Sequence, residues 1–220
     1  MTLPGIDIPD ELVLESTDAG LELRQRSDRP GNGVRADLSG GRRGTHPLAR
    51  ALRGAQGVVV DATAGFGGDA GVLAALGRSV LAIERNPVLF TLLEDAHRRL
   101  ALEVPTRAEA VTLRHGDARD LLSGLESPWN RAAAIVLDPM YPGRRSASAL
   151  PPKPMQLLRA LLRPDGAMDD VETLIASAFR TEARRVVLKR PPEAAPPEGV
   201  GKPTFSIESK LVRWDVWERG

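Results

Sequence analysis

Short apolar runs alternate with segments of helical period through the middle of this chain. Runs rich in Val, Leu, Ile and Ala are typical of buried parallel strands, and apolar residues three and four positions apart indicate helices packed on them. Strands are predicted at 58–60, 79–83, 111–114, 132–137 and 184–190. Helices are predicted at 47–52, 72–76, 87–100, 121–125, 155–162 and 169–179. This order implies a doubly wound α/β sheet.

Both ends of the chain alternate with a period of two instead. Near the C-terminus, 204–209 and 211–217 are predicted to close the sheet with an antiparallel edge, giving seven strands in all. Near the N-terminus, 21–26 and 34–38 flank a turn-rich segment and predict a β-hairpin, whereas the residues before them are expected to be irregular. We therefore expect an N-terminal extension at 1–45 and a mostly parallel α/β domain at 46–220.

Composition excludes several classes of protein. Hydrophobic residues make up 42% of the chain and the net charge is only +1, so a polycation that coats nucleic acid is excluded. The chain has no cysteine and its three histidines lie far apart, so we expect no metal site. No apolar run approaches the ~20 residues that span a bilayer, and no signal pattern is present. These features predict a cytoplasmic protein without membrane contact.

A glycine-rich turn follows the first predicted strand. That strand ends on Asp61, and Gly65, Gly67 and Gly68 come before the next helix. Glycines at such a Rossmann-like corner let a ligand approach the backbone closely. Gly65, Gly67 and Ala70 also match the dinucleotide fingerprint, so a nicotinamide cofactor is one candidate. An ordinary turn without a ligand is the alternative.

Three carboxylates around this turn favour a cationic ligand over a dinucleotide. Asp61 would repel the phosphates of a dinucleotide, whereas S-adenosylmethionine has no phosphate and carries an ammonium and a sulfonium. Asp69 lies inside the turn, where it would cap the helix or face such a cation. Glu84 ends the second strand about 20 residues past the glycines, where ribose hydroxyls are held in such folds. We therefore expect S-adenosylmethionine as the cofactor.

A fourth acid, Asp117, comes directly after the third strand. In methyltransferase-like folds an acid at this place commonly faces the amino group of adenine, which predicts a cofactor contact. The alternative is a helix cap, because Asp is a favoured N-cap residue and a helix follows.

The fourth strand ends in Asp138-Pro139-Met140-Tyr141, on the same edge as the glycine turn. An exocyclic amine conjugated to a base is a poor nucleophile and needs acceptors that draw its hydrogens into place. Asp138 would supply the carboxylate, and Pro139 would stiffen the turn that presents its carbonyl. Tyr141 would offer a flat face for stacking, worth ~1–3 kcal/mol per base. These three are the candidate catalytic residues, and a plain strand-end turn is the alternative.

Basic residues cluster near the same edge. Arg144 and Arg145 directly follow the Asp-Pro-Met-Tyr motif, and Lys189 and Arg190 end the fifth strand. Because arginine makes bidentate contacts with phosphate, these four positions are predicted to bind RNA. A biased genome is the alternative reason for the excess of arginine over lysine.

The order of these motifs is similar to the bacterial small-subunit rRNA guanine-N2 methyltransferase J family. The motifs are Asp-Ala-Thr-Ala-Gly-Phe-Gly-Gly-Asp at 61–69, Glu-Arg-Asn-Pro at 84–87, Leu-Asp-Pro-Met-Tyr-Pro at 137–142, Ser-Ala-Leu at 148–150 and Val-Val-Leu-Lys-Arg-Pro at 186–191. The resemblance covers roughly residues 20–217. Glu-Arg-Asn-Pro and Asp-Pro-Met-Tyr-Pro are its most specific parts.

The resemblance implies a class I methyltransferase that uses S-adenosylmethionine and forms N2-methylguanosine in 16S rRNA of the small ribosomal subunit. It also implies cofactor contacts at Gly68-Asp69, Glu84-Arg85, Asp117-Ala118 and Asp138. Three further hypotheses stay open at this point. The first is an enzyme that methylates adenine or cytosine amines in DNA or RNA. The second is a non-catalytic RNA-binding module on the same scaffold, and the third is a small-molecule methyltransferase that would not need Arg144 and Arg145.

Overall fold

The computed structural model of the chain describes residues 7–41, 46–141, 151–162 and 171–219. It begins with an antiparallel hairpin of β1 (Leu12–Thr17) and β2 (Gly20–Gln25). A hairpin was predicted, but its pairing of 21–26 with 34–38 is wrong, since only an isolated bridge joins Leu23 to Val34. The expectation of an irregular start is also wrong for β1. A two-residue connection closes at lower entropic cost than the longer loop toward residue 34.

A seven-stranded, mostly parallel sheet forms the centre of the protein, as the sequence predicted. Its strands are β3 (Val59–Asp61), β4 (Val80–Glu84), β5 (Val111–His115), β6 (Ala134–Leu137), β7 (Arg185–Arg190), β8 (Phe205–Glu208) and β9 (Arg213–Glu218). They lie in the order β5-β4-β3-β6-β7-β9-β8, and β9 is antiparallel to both of its neighbours. The order reverses between β3 and β6, which is where ligands bind in open sheets of this type.

Helices cover both faces of the sheet. They are α1 (Pro47–Ala51), α2 (Gly68–Ala75), α3 (Pro87–Glu103), α4 (Pro105–Ala108), α5 (Ala118–Leu121), α6 (Lys153–Leu162) and α7 (Val171–Arg180). The helix predicted at 121–125 begins earlier and gives way to a 3-10 turn at Leu122–Gly124. The start predicted for the last helix, at 169, lies outside the described residues.

Alternate residues of the central strands feed two apolar cores. On β3, Val59 packs with α1, α2, α3 and α6, whereas Val60 packs on the other face with α5 and α7. The buried face of α3 is the one that its apolar period predicted, from Val88 to Leu100. Within the described ranges, no helix has the length and apolar character needed to cross a membrane.

Candidate active site

A cavity of about 710 Å³ opens at the carboxyl ends of the parallel strands. The ends of β3, β4, β6 and β7 form its floor, and α6, α7 and the turn between β8 and β9 contribute its walls. Most predicted site residues meet here: Gly65, Gly68, Asp69, Glu84, Arg85, Asp117, Ala118, Asp138, Pro139, Tyr141, Lys189 and Arg190. Asp61 and Gly67 are not part of the described lining.

The glycine turn has an open face and a packed face. A Cβ on Gly68 would meet no atom within 4 Å, and one on Gly65 only a carbonyl oxygen at 3.8 Å. A Cβ on Gly67 would lie 2.9 Å from the side chains of both Leu38 and Leu93. The close approach predicted for a ligand is therefore available at Gly65 and Gly68. At Gly67 the protein's own Leu38 takes that space.

Asp61 lies beneath the cavity at the end of β3 and is 1% exposed. Its Oδ1 accepts the Thr63 N–H at 3.1 Å, but its buried Oδ2 has no hydrogen-bond partner in the described part of the chain. Burial raises the pKa of Asp61 to about 8, and the nearby carboxylate of Asp69 adds to the rise. A buried acceptor without a partner is costly, so this atom fits a site completed by a cationic or donating ligand.

Glu84 locks the corner between the glycine turn and α3. Its Oε2 accepts the Gly65 N–H and its Oε1 accepts the Asn86 N–H, both at 2.8 Å. Burial raises the pKa of Glu84 in spite of these hydrogen bonds. Each carboxylate oxygen has a second lone pair, so the predicted contact with a ribose hydroxyl remains chemically open.

Asp117 caps the N-terminus of α5. This helix cap was the alternative to the predicted cofactor contact. Its Oδ1 accepts the Arg119 backbone N–H at 2.9 Å, and its Oδ2 binds the Arg119 guanidinium at 2.5 Å. Arg85 lies 3.4 Å from the same oxygen. These hydrogen bonds, chiefly from Arg119, lower the pKa of Asp117 to about 2. Asp117 therefore stays ionised, and its contact with an adenine amino group stays a prediction.

Asp138 stands at the end of β6 beside a lysine. Its backbone N–H donates to Thr63 Oγ1 at 2.7 Å, which ties β6 to the start of the glycine turn. Lys189 Nζ donates to Asp138 Oδ2 at 2.6 Å and lies 3.6 Å from Asp69 Oδ2. Lys189, which the sequence placed near RNA phosphates, thus lies among carboxylates. Its contact with phosphate stays a prediction.

Pro139 and Tyr141 line the cavity next to Asp138, and Met155 and Leu158 of α6 line it too. Burial raises the pKa of the Tyr141 phenol to about 12. Tyr141 is therefore neutral near pH 7 and offers a flat surface rather than a base. A planar aromatic substrate fits such an environment.

Arg190 is 6% exposed, and its Nε donates to Asp215 Oδ2 at 2.7 Å. Its guanidinium also donates to the Ala194 carbonyl, so it joins β7, β9 and the chain after β7. The contact of Arg190 with an RNA phosphate stays a prediction. Arg144 and Arg145 lie outside the described residues.

Sequence reasoning missed two features of the site. Leu38 was assigned to a hairpin, yet it packs under the glycine turn. Trp214 on β9 lies with its ring centroid 5.1 Å from Lys189 Nζ, which no motif indicated. Both contacts join segments far apart in sequence. The spacing of apolar residues around Leu38 and Trp214 indicated only that these side chains are buried, not which residues they contact.

The cluster of carboxylates in this cavity fits a cationic nucleoside as the ligand. Four carboxylates, from Asp61, Asp69, Glu84 and Asp138, lie at or just beneath one corner of the cavity, next to the open glycines. No group of three or more His, Asp or Glu that could hold a metal ion occurs among the described residues. Together, the doubly wound sheet and this acidic corner are typical of methyltransferases that use S-adenosylmethionine.

Comparison with known proteins gives the particular family. The family model described as "Putative SAM-dependent methyltransferase" matches residues 7–219. Ribosomal RNA small subunit methyltransferase J of Shewanella amazonensis is 39% identical over 213 residues, which cover 90% of this chain and 82% of that protein. The protein of the same name from Aeromonas hydrophila is 40% identical over 227 residues, covering 96% of this chain and 88% of the relative.

A solved structure agrees with these relatives. A SAM-dependent methyltransferase from Neisseria gonorrhoeae is 29% identical and superposes with a TM-score of 0.66, covering 90% of this chain and 78% of that one. The chain belongs to the ribosomal RNA small subunit methyltransferase J family of S-adenosylmethionine-dependent enzymes.

Proposed function

We propose that this protein transfers a methyl group from S-adenosylmethionine to the exocyclic N2 amine of a guanine in 16S rRNA. The observation that carries the proposal is the position of Asp138, whose carboxylate stands at the cavity edge beside the open face of the glycine turn. The names of the relatives support ribosomal RNA of the small subunit as the substrate.

The acidic corner is the part of the cavity that would hold the cofactor. Gly65 and Gly68 leave room for it, and Asp69 and Glu84 would face its ammonium and ribose. Asp117, Ala118 and Arg85 would lie around its adenine. Asp61 would act from below, as a buried carboxylate whose charge a cation stabilises.

S-adenosylmethionine, when bound, supplies an electrophilic methyl group on a sulfonium. Asp138 would accept an N–H of the guanine amine and orient the nitrogen lone pair toward the methyl group. The amine nitrogen would lose one proton as it takes up the methyl group, and Asp138 or water would accept that proton. Most of the acceleration would come from proximity and orientation of the two reactants.

Tyr141 and the apolar side chains of α6 would hold the base itself. A base paired within a helix must first be unstacked, at a cost of a few kcal/mol, and stacking on Tyr141 would offset part of that cost. Arg144 and Arg145, which follow the Asp-Pro-Met-Tyr motif in the sequence, would hold RNA phosphates. The proposed partner is either naked 16S rRNA or the small ribosomal subunit. The reaction would take place in the cytoplasm and would need no metal.

Asp138→Asn tests the proposal against Glu94→Gln, a matched change at an exposed position on α3. The first variant keeps a similar shape but loses the anionic acceptor, so methyl transfer to unmodified small subunits should fall by about 100-fold or more. Binding of S-adenosylhomocysteine, measured by calorimetry, should fall far less than methyl transfer, because Asp138 is only one of several cofactor contacts, and Glu94→Gln should behave as wild type. Unchanged transfer by Asp138→Asn would refute the role of Asp138.

A further inference from the structure

Asp138, directly after β6, and Lys189, within β7, lie at the same height of two neighbouring parallel strands. The register pairs Leu137 of β6 with Leu188 of β7, so the next residue of each strand lies side by side at the cavity edge. Lys189 Nζ lies 2.6 Å from Asp138 Oδ2 and 5.1 Å from the ring centroid of Trp214. A carboxylate and an aromatic face therefore both hold the ammonium in place.

Acidic groups from two further elements, α2 and β3, lie near this pair. Asp69 Oδ2 of α2 lies 3.6 Å from Lys189 Nζ, and the buried Asp61 of β3 acts electrostatically on Lys189 and Asp138. His46 before α1 also acts on Lys189, but burial lowers the pKa of its imidazole, which is therefore neutral at pH 7. Among the described residues, the titratable groups that act on the pair are Asp61, Asp69, His46 and the neutral Tyr141.

The charge on Asp138 depends on this balance. Burial raises the pKa of Asp138, Lys189 opposes the rise, and Asp69 adds to it, so the pKa stays above its ordinary value. Burial lowers the pKa of Lys189, but Asp138 and Asp69 more than offset that effect, so the lysine is charged at neutral pH. Removing the ammonium would leave Asp138 facing the like charge of Asp69 with no cation beside it.

We propose that Lys189 is a positioning residue for methyl transfer: by binding Oδ2 it keeps the Asp138 carboxylate ionised and oriented at the cavity edge. The inference rests on the proposed function of Asp138. A carboxylate has more acceptor positions than one ammonium uses, so Asp138 binds Lys189 and the target amine together. This task differs from phosphate contact, because the charge of Lys189 is already balanced by two carboxylates.

The test compares Lys189→Met and Lys189→Arg with Lys202→Met, a matched change at an exposed lysine. In Lys189→Met, kcat at pH 7 should fall by about tenfold or more, and the acidic limb of the kcat profile should move up by about one pH unit or more. Lys189→Arg should return the acidic limb of the kcat profile to its wild-type pH, because arginine places a cation beside Asp138 again. Lys202→Met should match wild type, and all variants should keep cofactor binding and cooperative thermal unfolding.

Other results would overturn the inference. A raised KM for small subunits with a weaker salt dependence, and an unmoved pH profile of kcat, would assign Lys189 to phosphate binding instead. Unchanged kinetics in Lys189→Met would also contradict it. Should Lys189→Met fail to fold, Lys189→Gln provides the same comparison with a polar side chain. A folded wild type that binds cofactor but methylates no rRNA would instead contradict the proposed function itself.

Discussion

Between about pH 4 and pH 8, the carboxyl group of Asp61 is protonated in the folded protein but ionised in the unfolded chain. Its pKa is raised from 3.8 to about 8, mainly by burial and then by Asp69. Between these two values the folded state binds more protons than the unfolded state, so this group makes stability fall as pH rises. The full stabilising contribution is present below pH 4 and is lost as pH rises through 8.

Asp61→Asn should remove this part of the pH dependence. We expect the free energy of unfolding of the variant, relative to wild type, to rise by up to about 1.4 kcal/mol per pH unit between pH 4 and pH 8. Urea unfolding at several pH values measures the difference, with Glu94→Gln as the control at an exposed acid. The same variant should bind S-adenosylmethionine more weakly, since Asn cannot lose a proton to become the buried carboxylate that a bound cation stabilises. A pH-independent difference would contradict this account of Asp61.

Single residues of the site were predictable where they follow apolar runs. Asp61, Glu84 and Asp138 each stand where a strand ends, and parallel strands bring such residues to one edge. The partner of Asp138 was not predictable, because Lys189 reaches it through the lateral register of two strands that no local pattern encodes. The same holds for Arg190, whose partner Asp215 comes from an antiparallel strand.

Helix α2 packs closely on the N-terminal segment. A Cβ on Gly71 would lie 2.8 Å from the Leu38 carbonyl carbon, whereas a Cβ on Gly68 would meet open space. Gly71→Ala should therefore destabilise the protein by about 1–3 kcal/mol through overpacking against backbone. Gly68→Ala should change stability by less than about 1 kcal/mol but weaken cofactor binding, because it narrows the cavity.

Thermal unfolding and calorimetric binding of S-adenosylhomocysteine separate these two glycine variants. Equal losses of stability would show that the N-terminal segment does not constrain α2 as described. Intact cofactor binding in Gly68→Ala would show that the open face of the turn does not contact the ligand.

Strand β7 is tied to the loop after α1 by one of two adjacent arginines. Arg185 is buried, and its guanidinium donates to the carbonyls of Ala51 and Arg53 at 2.9 and 3.0 Å and pairs with Glu218. Arg185→Ala leaves those carbonyls without a donor and should cost about 2–4 kcal/mol. Arg184→Ala, at the exposed neighbour, should cost less than about 0.5 kcal/mol. Similar losses in denaturant unfolding of both variants would contradict this.

At the scale of elements, the central strands and helices were predictable and the N-terminal pairing was not. The apolar runs of β3, β4, β6 and β7 are unambiguous, since each of these strands is buried on both faces, whereas β5 is an edge strand with exposed residues. Around the hairpin, 21–26 and 34–38 alternate and 12–17 begins with the apolar run Leu-Val-Leu, so the pattern allows more than one pairing. The short turn before Gly20 decides between them.

The whole molecule combines a net charge of +1 with an acidic corner. Attraction to RNA must then come from local basic groups rather than from overall charge. The domain boundary at residue 45 stays a prediction. The packing of Leu38 under Gly67 and Gly71 argues that the segment before it shares the main core.

The most direct test of the central claim is transfer of labelled methyl from S-adenosylmethionine to small ribosomal subunits lacking the modification, followed by nucleoside digestion. The account predicts label in N2-methylguanosine from 16S rRNA. Label in methyladenosine or methylcytidine, or no label while the cofactor still binds, would contradict it.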